Sequence, residues 1–131
     1  AGLNPPRSLW RLVAEYPSVE MIANPSDDLL NNLIKNAHVN IFFTNQATGL
    51  KLKLLNALYN GRFVLTNDKM LSGSNLNKLC ELTNGIPEMK IQLNELMKRT
   101  FTTSLKFERQ AHLQTIYVNG DNVEKLIELI V

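Results

Sequence analysis

Residues 37–66, AHVNIFFTNQATGLKLKLLNALYNGRFVLT, contain the changes of period that decide the fold of this chain. Residues 38–43 form an apolar run rich in β-branched and aromatic side chains, which predicts a buried strand. Thr44, Asn45, Gln46, Ala47, Thr48 and Gly49 make a small polar loop. Leu then recurs at helical spacing over residues 50–59, Gly61 ends that helix, and residues 62–65 begin a second apolar strand. The loop therefore lies at the carboxyl end of a strand and opens a helix. The free N–H groups and positive dipole end of such a helix point at whatever binds there, and the natural guest is an anion such as phosphate.

Working outward, the same alternation continues. Pro5 and Pro6 suit a helix start, and Leu9, Trp10, Leu12, Val13 and Tyr16 supply an apolar face, with Trp10 expected as a core anchor. Residues 19–22 predict a short strand. Ser26 occupies an N-cap position followed by Asp27 and Asp28, and Leu29, Leu30, Leu33, Ile34 and Ala37 form a helical stripe. Beyond Asn67, residues 68–74 predict a polar loop. Helices are expected over 75–83, 87–100, 103–117 and 121–130, punctuated by Gly85, the turn at 102–104 and Asn119-Gly120. Strands alternating with helices predict an α/β protein, a three-layer Rossmann-like parallel sheet with helices on both faces and a helical C-terminal end. Ligands of such sheets sit outside the carboxyl ends of the strands. Loops 3–5, 23–25 and 44–49 are expected to converge there.

At 131 residues the chain is one domain's worth, 1–131, with 44% hydrophobic and 20% charged residues. Its formal net charge of +2 is interspersed, so no basic block points to nucleic acid or to an anionic membrane. Cys80 is the single cysteine, set in an apolar pattern with Leu76, Leu79 and Leu82 that predicts a packed helical thiol. No apolar run suits a spanning helix or a signal peptide, and a cytoplasmic location is the default. His38 and His112 have no partner at metal-ligand spacing. No Walker loop, Gly-x-Gly-x-x-Gly or Gly-x-Ser-x-Gly elbow occurs.

Several residues are candidates for a diphosphate site. Thr48, Gly49 and Leu50 offer backbone N–H groups and the Thr48 hydroxyl. The same residues also serve as an ordinary N-cap and a close-packing glycine. Lys53 lies one turn into the helix, where an ammonium can reach a phosphate, whereas Lys51, two residues away, points elsewhere. Asn4, Ala23 and Asn24 occupy strand-end loops, and Asn24-Pro25 is equally a good turn. Gln46 sits at the mouth of the polar loop.

The sequence Asn56-Ala57-Leu58-Tyr59-Asn60-Gly61, followed by Arg62-Phe63-Val64-Leu65-Thr66, resembles the donor-binding stretch of group-1, mannosyltransferase-like GT-B glycosyltransferases. In that family a hydrophobic strand and small polar loop lead into a helix ending Glu-Ala-Met-Ala-x-Gly, then a Pro-Val-Val-type strand. The opening Thr48-Gly49-Leu50-Lys51-Leu52-Lys53 is similar to a branch with Gly and Lys before that helix, and the resemblance runs from the start of the chain to Leu79. It implies the C-terminal donor domain of a retaining enzyme that moves a mannose-like hexose from GDP- or UDP-hexose to a glycan or lipid acceptor, as in polysaccharide biosynthesis.

By that resemblance Thr48, Gly49, Leu50 and Lys53 would hold the donor diphosphate and Asn56 the ribose hydroxyls. Asn4, Ala23 and Asn24 would meet the base, and Gln46 the sugar. No cofactor or metal is implied, and no Asp-x-Asp motif is present. Thr48 and Asn56 stand where the family carries glutamates. Either hydroxyl and amide take over those contacts, or the donor is held differently, or binding is lost. The chain opens without an initiator Met on what resembles a strand end, so it is expected to be part of a longer enzyme. Its acceptor domain is expected to lie elsewhere in that enzyme, any membrane contact would be made there, and the isolated part would not turn over. Two other classes remain open: a non-catalytic interaction domain derived from a glycosyltransferase, and a flavodoxin-like or receiver-like binding module.

Overall fold

The computed structural model describes residues 1–47 and 52–117. Within them the chain divides into two compact units, Ala1–Leu33 and a second that starts at Ile34.

The first unit holds helix α1 (Arg7–Ala14) and the start of helix α2 (Asp27–Asn36). Pro6, extended, stands at the N-cap of α1, as its fixed φ favours. The Ser26 hydroxyl caps α2 by accepting the Leu29 N–H at 3.3 Å, with Asp27 and Asp28 in the first turn. The strand expected over 19–22 does not form. Gly2 and Ala23 make an isolated parallel bridge, through Gly2 N–H to Ile22 O (3.0 Å) and Asn24 N–H to Gly2 O (2.8 Å). One such rung gives the neighbouring apolar residues no ladder to extend. The expected apolar face of α1 is present, but no residue of that helix is buried, and Trp10 is 44% exposed rather than a core anchor.

The second unit is mixed α/β, built on an open parallel sheet in the order β1-β2-β3. Strand β1 (Val39–Phe42) pairs with β2 (Phe63–Thr66) in register Val39↔Phe63, and β2 pairs with β3 (Glu81–Leu82) through Leu65↔Glu81. Helix α3 (Leu52–Asn60) connects β1 to β2 and buries Leu54, Leu55, Ala57 and Leu58, the predicted leucine repeat. Every residue of β2 is buried, as a central parallel strand requires. Phe63 and Leu65 share one face, where Leu96 of helix α5 (Ile86–Lys98) joins them, with Val39, Met89, Leu93 and Phe101 packed around. Helix α6 (Thr103–Tyr117) packs against α3.

Gly61 shows why this position admits no side chain. A Cβ there would lie 2.7 Å from both Ala57 O and Asn40 Nδ2, and 3.2 Å from Ile34 O. The Asn40 amide in turn donates to Ile34 O at 3.1 Å, tying β1 to the end of α2.

Two expectations fail between β2 and α5. Residues 68–71, expected in a loop, form the short helix α4 (Asp68–Leu71), which buries Met70 and Leu71. The helix expected over 75–83 is instead a single 3-10 turn, Asn77–Leu79, followed by β3. Asn75 lies in the left-handed region at φ 57°, which interrupts an α-helix, and the segment gains a partner in β2 through Thr83 N–H to Thr66 O at 2.9 Å. A short apolar run has no decisive period of its own, so pairing with β2 settles it. The helix expected over 121–130 and the Asn119-Gly120 turn lie outside the described residues.

Candidate functional site

The carboxyl ends of the three strands are joined by asparagine and threonine side chains. Asn67, following β2, accepts the Thr44 N–H at 3.3 Å and donates to Thr44 O at 2.9 Å, which pins the start of the polar loop after β1. The Thr66 hydroxyl donates to Phe42 O at 2.7 Å. Asn84, following β3, accepts the Asp68 N–H at 3.1 Å and donates to the Asp68 carboxylate at 2.5 Å. These residues satisfy the backbone groups that a sheet leaves unpaired at its end, and so hold the loop mouths in place.

The predicted site residues divide accordingly. Gln46 is exposed in the loop, its N–H on the Thr44 hydroxyl at 3.1 Å, and that hydroxyl donates to Gln46 O at 3.3 Å. Lys53 is exposed on the first turn of α3, and Asn56 is half-buried on the same helix, its Oδ1 accepting from Asn60 Nδ2 at 2.9 Å. Thr48, Gly49 and Leu50 lie outside the described residues. Asn4, Ala23 and Asn24 do meet one another in the first unit. Asn24 Oδ1 accepts the Asn4 N–H at 2.8 Å beside the Gly2–Ala23 bridge, and both asparagines have positive φ (44° and 49°). The Asn24 side-chain oxygen is thus spent on shaping a turn. Among the described residues, no group of three or more His, Cys, Asp or Glu gathers to hold a metal, and no helix is long and apolar enough to cross a membrane.

A cavity of about 410 Å³ lies at the other end of the sheet. Phe63 and Glu81, the first residues of β2 and β3, line it, with Cys80 just before β3 and Leu105, Arg109 and His112 from α6. Arg109 is only 8% exposed. Its Nη2 donates to Gly61 O at 2.5 Å and its Nη1 to Arg62 O, so it closes the α3–β2 junction from α6. Its Cζ lies 5.2 Å from the Phe101 ring centroid, and Phe101 meets Phe63 edge-on at 5.1 Å. Arg99 stacks on Phe63 from 4.8 Å and pairs with Glu81 at 2.6 Å. Burial pulls the Arg109 pKa down to about 10, against a smaller raising effect of Cys80.

Cys80 is half-buried in extended backbone on this cavity wall, not packed in a helix as its apolar neighbours predict. Burial pushes its thiol up from 9.0 to about 12, with Arg109 lowering it and Glu81 raising it by smaller amounts. Such a thiol is a poor nucleophile near neutrality. Because the folded pKa lies above the unfolded one, folded protein keeps a proton that unfolded protein loses, and stability falls as pH rises from 9.0 toward about 12. Arg109 acts in the opposite sense above about 10, so the test belongs below that pH. Between about pH 8 and about pH 10, wild type should lose stability relative to Cys80→Ala with a limiting slope of about 1.4 kcal/mol per pH unit. Parallel urea midpoints for the two proteins over that window would refute the buried-thiol account.

Sequence reasoning passed over Arg109, although a signal existed. Leu105, Arg109 and Leu113 follow one another at four-residue spacing on α6, a cation in the middle of an apolar stripe. Compared with known protein families, characterised proteins and solved structures, the chain finds no match.

Proposed function

We propose that this chain is the donor-binding part of a GT-B-like glycosyltransferase, with the sheet and helices arranged as a three-layer Rossmann-like unit. Its ligand is a nucleotide sugar such as GDP- or UDP-hexose, and the hexose is mannose-like. The observation that carries the reading is the parallel β1–α3–β2 crossover, which sets a polar loop at the carboxyl end of β1 and leads from it into α3. The amino end of α3 is then the place for a diphosphate, with Lys53 as a point charge and the N–H groups of Thr48, Gly49 and Leu50 as donors. As the glycosidic bond breaks, negative charge grows on the departing nucleoside diphosphate. A fixed dipole end stabilises that charge without a protein nucleophile. Asn56 takes the ribose hydroxyls, Gln46 the sugar, and Asn4, Ala23 and Asn24 the base.

One observation favours a second reading, a non-catalytic interaction domain. Asn24 and Asn56 both spend their amide oxygens within the chain, on Asn4 and Asn60. Thermal unfolding with GDP, UDP, ADP and their sugar conjugates separates the two. A ligand at 100 times its Kd stabilises by ~2.7 kcal/mol, roughly 3–6 °C for a chain of this size. The donor reading expects one diphosphate to give that shift, Thr48→Glu to remove it, and Asn56→Ala to weaken ribonucleotides more than dideoxy analogues. No shift with any of these ligands rejects the donor reading in favour of the interaction domain.

A further inference from the structure

The cavity at the amino ends of β2 and β3 has chemistry that the donor reading does not use. Arg109 is a buried cation with no carboxylate partner among the described residues. A guanidinium carries five N–H donors, and among the described residues Arg109 makes two bonds, both to backbone carbonyls. Its Nε is fully buried without any hydrogen-bond partner among the described residues. Burying a charge in this way is costly unless an opposite charge meets it, and the ring of Phe101 offers only a weak substitute.

The rest of the wall says what kind of anion fits. Its ionic side chains are the cations Lys78, Arg99 and Arg109 against the carboxylates Glu81 and Glu108, one net positive charge. Glu81 is taken by Arg99, and Glu108 accepts from the Ser104 hydroxyl at 2.9 Å. Phe63, Val64, Leu79, Phe101 and Leu105 give the remaining wall an apolar character. A volume of about 410 Å³ is within the range of small-molecule sites. A diphosphate would bring more charge than this wall balances and nothing for its apolar surface.

We infer that this cavity binds a small monocarboxylate with an apolar body, its carboxylate drawn to Arg109 and its body lying between Leu105 and the Phe63–Phe101 pair. Nη1 and Nη2 each keep one N–H beyond those carbonyl bonds, and a hydrogen bond between a guanidinium and a carboxylate is stronger than a neutral one. The site is separate from the proposed donor-binding loop and stands or falls independently of it.

Benzoate is the probe, followed by methyl NMR of Leu79 and Leu105 in the whole chain. Benzyl alcohol, which has the same ring without the charge, and inorganic phosphate, which has charge without the ring, are the comparisons. Benzoate is expected to shift those methyls saturably, with both comparison compounds at least about tenfold weaker, the least that one charged hydrogen bond contributes. Arg109→Met should weaken benzoate to the level of benzyl alcohol. If that variant does not fold, Leu105→Trp decides, because it fills the cavity from a partly exposed position and should abolish the response. Unmoved methyls with wild type, equal binding of benzyl alcohol or phosphate, or undiminished binding to Leu105→Trp would each overturn the assignment.

Discussion

Gly61→Ala should cost about 3 kcal/mol, a large effect for one methyl group. The added Cβ meets Ala57 O and Asn40 Nδ2 at 2.7 Å and Ile34 O at 3.2 Å. Two of these are backbone oxygens held by a helix, and the third atom is already bonded to Ile34 O. None is the free end of a flexible side chain, so relief requires α3 to move away from β1. That movement would also disturb the Gly61 and Arg62 carbonyls that Arg109 holds. A fall in the urea midpoint at unchanged m is expected, with Tm lower by roughly 10 °C. Asn40→Ala removes one of the clashing atoms. The double variant should therefore lose less than the sum of the single losses, the sign of two residues in contact. A loss below about 1 kcal/mol for Gly61→Ala would mean that the helix ending packs more loosely than described.

Leu96→Ala should be as damaging, at about 3 kcal/mol. Leu96 has no exposed surface and completes the cluster with Phe63 and Leu65 on one face of β2. Truncation leaves a void between a helix and a strand that are both held by other contacts, so little collapse can fill it. The hydrogen bond from the His38 imidazole, Nε2–H, to the Leu96 main-chain carbonyl, at 2.9 Å, keeps the backbone of α5 in place while the Leu96 side chain is lost. Met97, the next residue, is 58% exposed, and Met97→Ala should change stability by no more than about 0.5 kcal/mol. Equal losses for the two variants would contradict the packing of α5 on β2.

The sequence marks some of this architecture plainly. The leucine repeat of α3 fits a helix with one apolar face, and the structure buries that face. The apolar, turn-bounded run over β2 is a parallel central strand, buried along its length. Ser26 caps α2 as its side-chain chemistry predicts. These readings succeed because the information is local: a period, a cap, a glycine. Asn4, Ala23 and Asn24, which belong to loops near the start of the chain, lie together at a turn of the first unit.

Other parts were settled by contacts between distant segments. Residues 75–83 carry apolar spacing compatible with a helix, yet Asn75 takes a left-handed φ and Glu81 and Leu82 pair with β2, a partner many residues earlier. The apolar stripe of α1 predicts burial, but a stripe shows only that a face could be covered, and Leu12 and Tyr16 remain 51% and 54% exposed. Arg109 is the sharpest case. In the sequence it is one charged residue among several, and its burial depends on α6 packing against α3 so that two carbonyls 47 and 48 residues away come within reach. Periodicity and capping are properties of neighbours along the chain, and the sequence by itself determined the elements that rest on them. Burial of a charge, the pairing of a short strand and the shape of a cavity depend on groups far apart in sequence, and only the tertiary structure decided those.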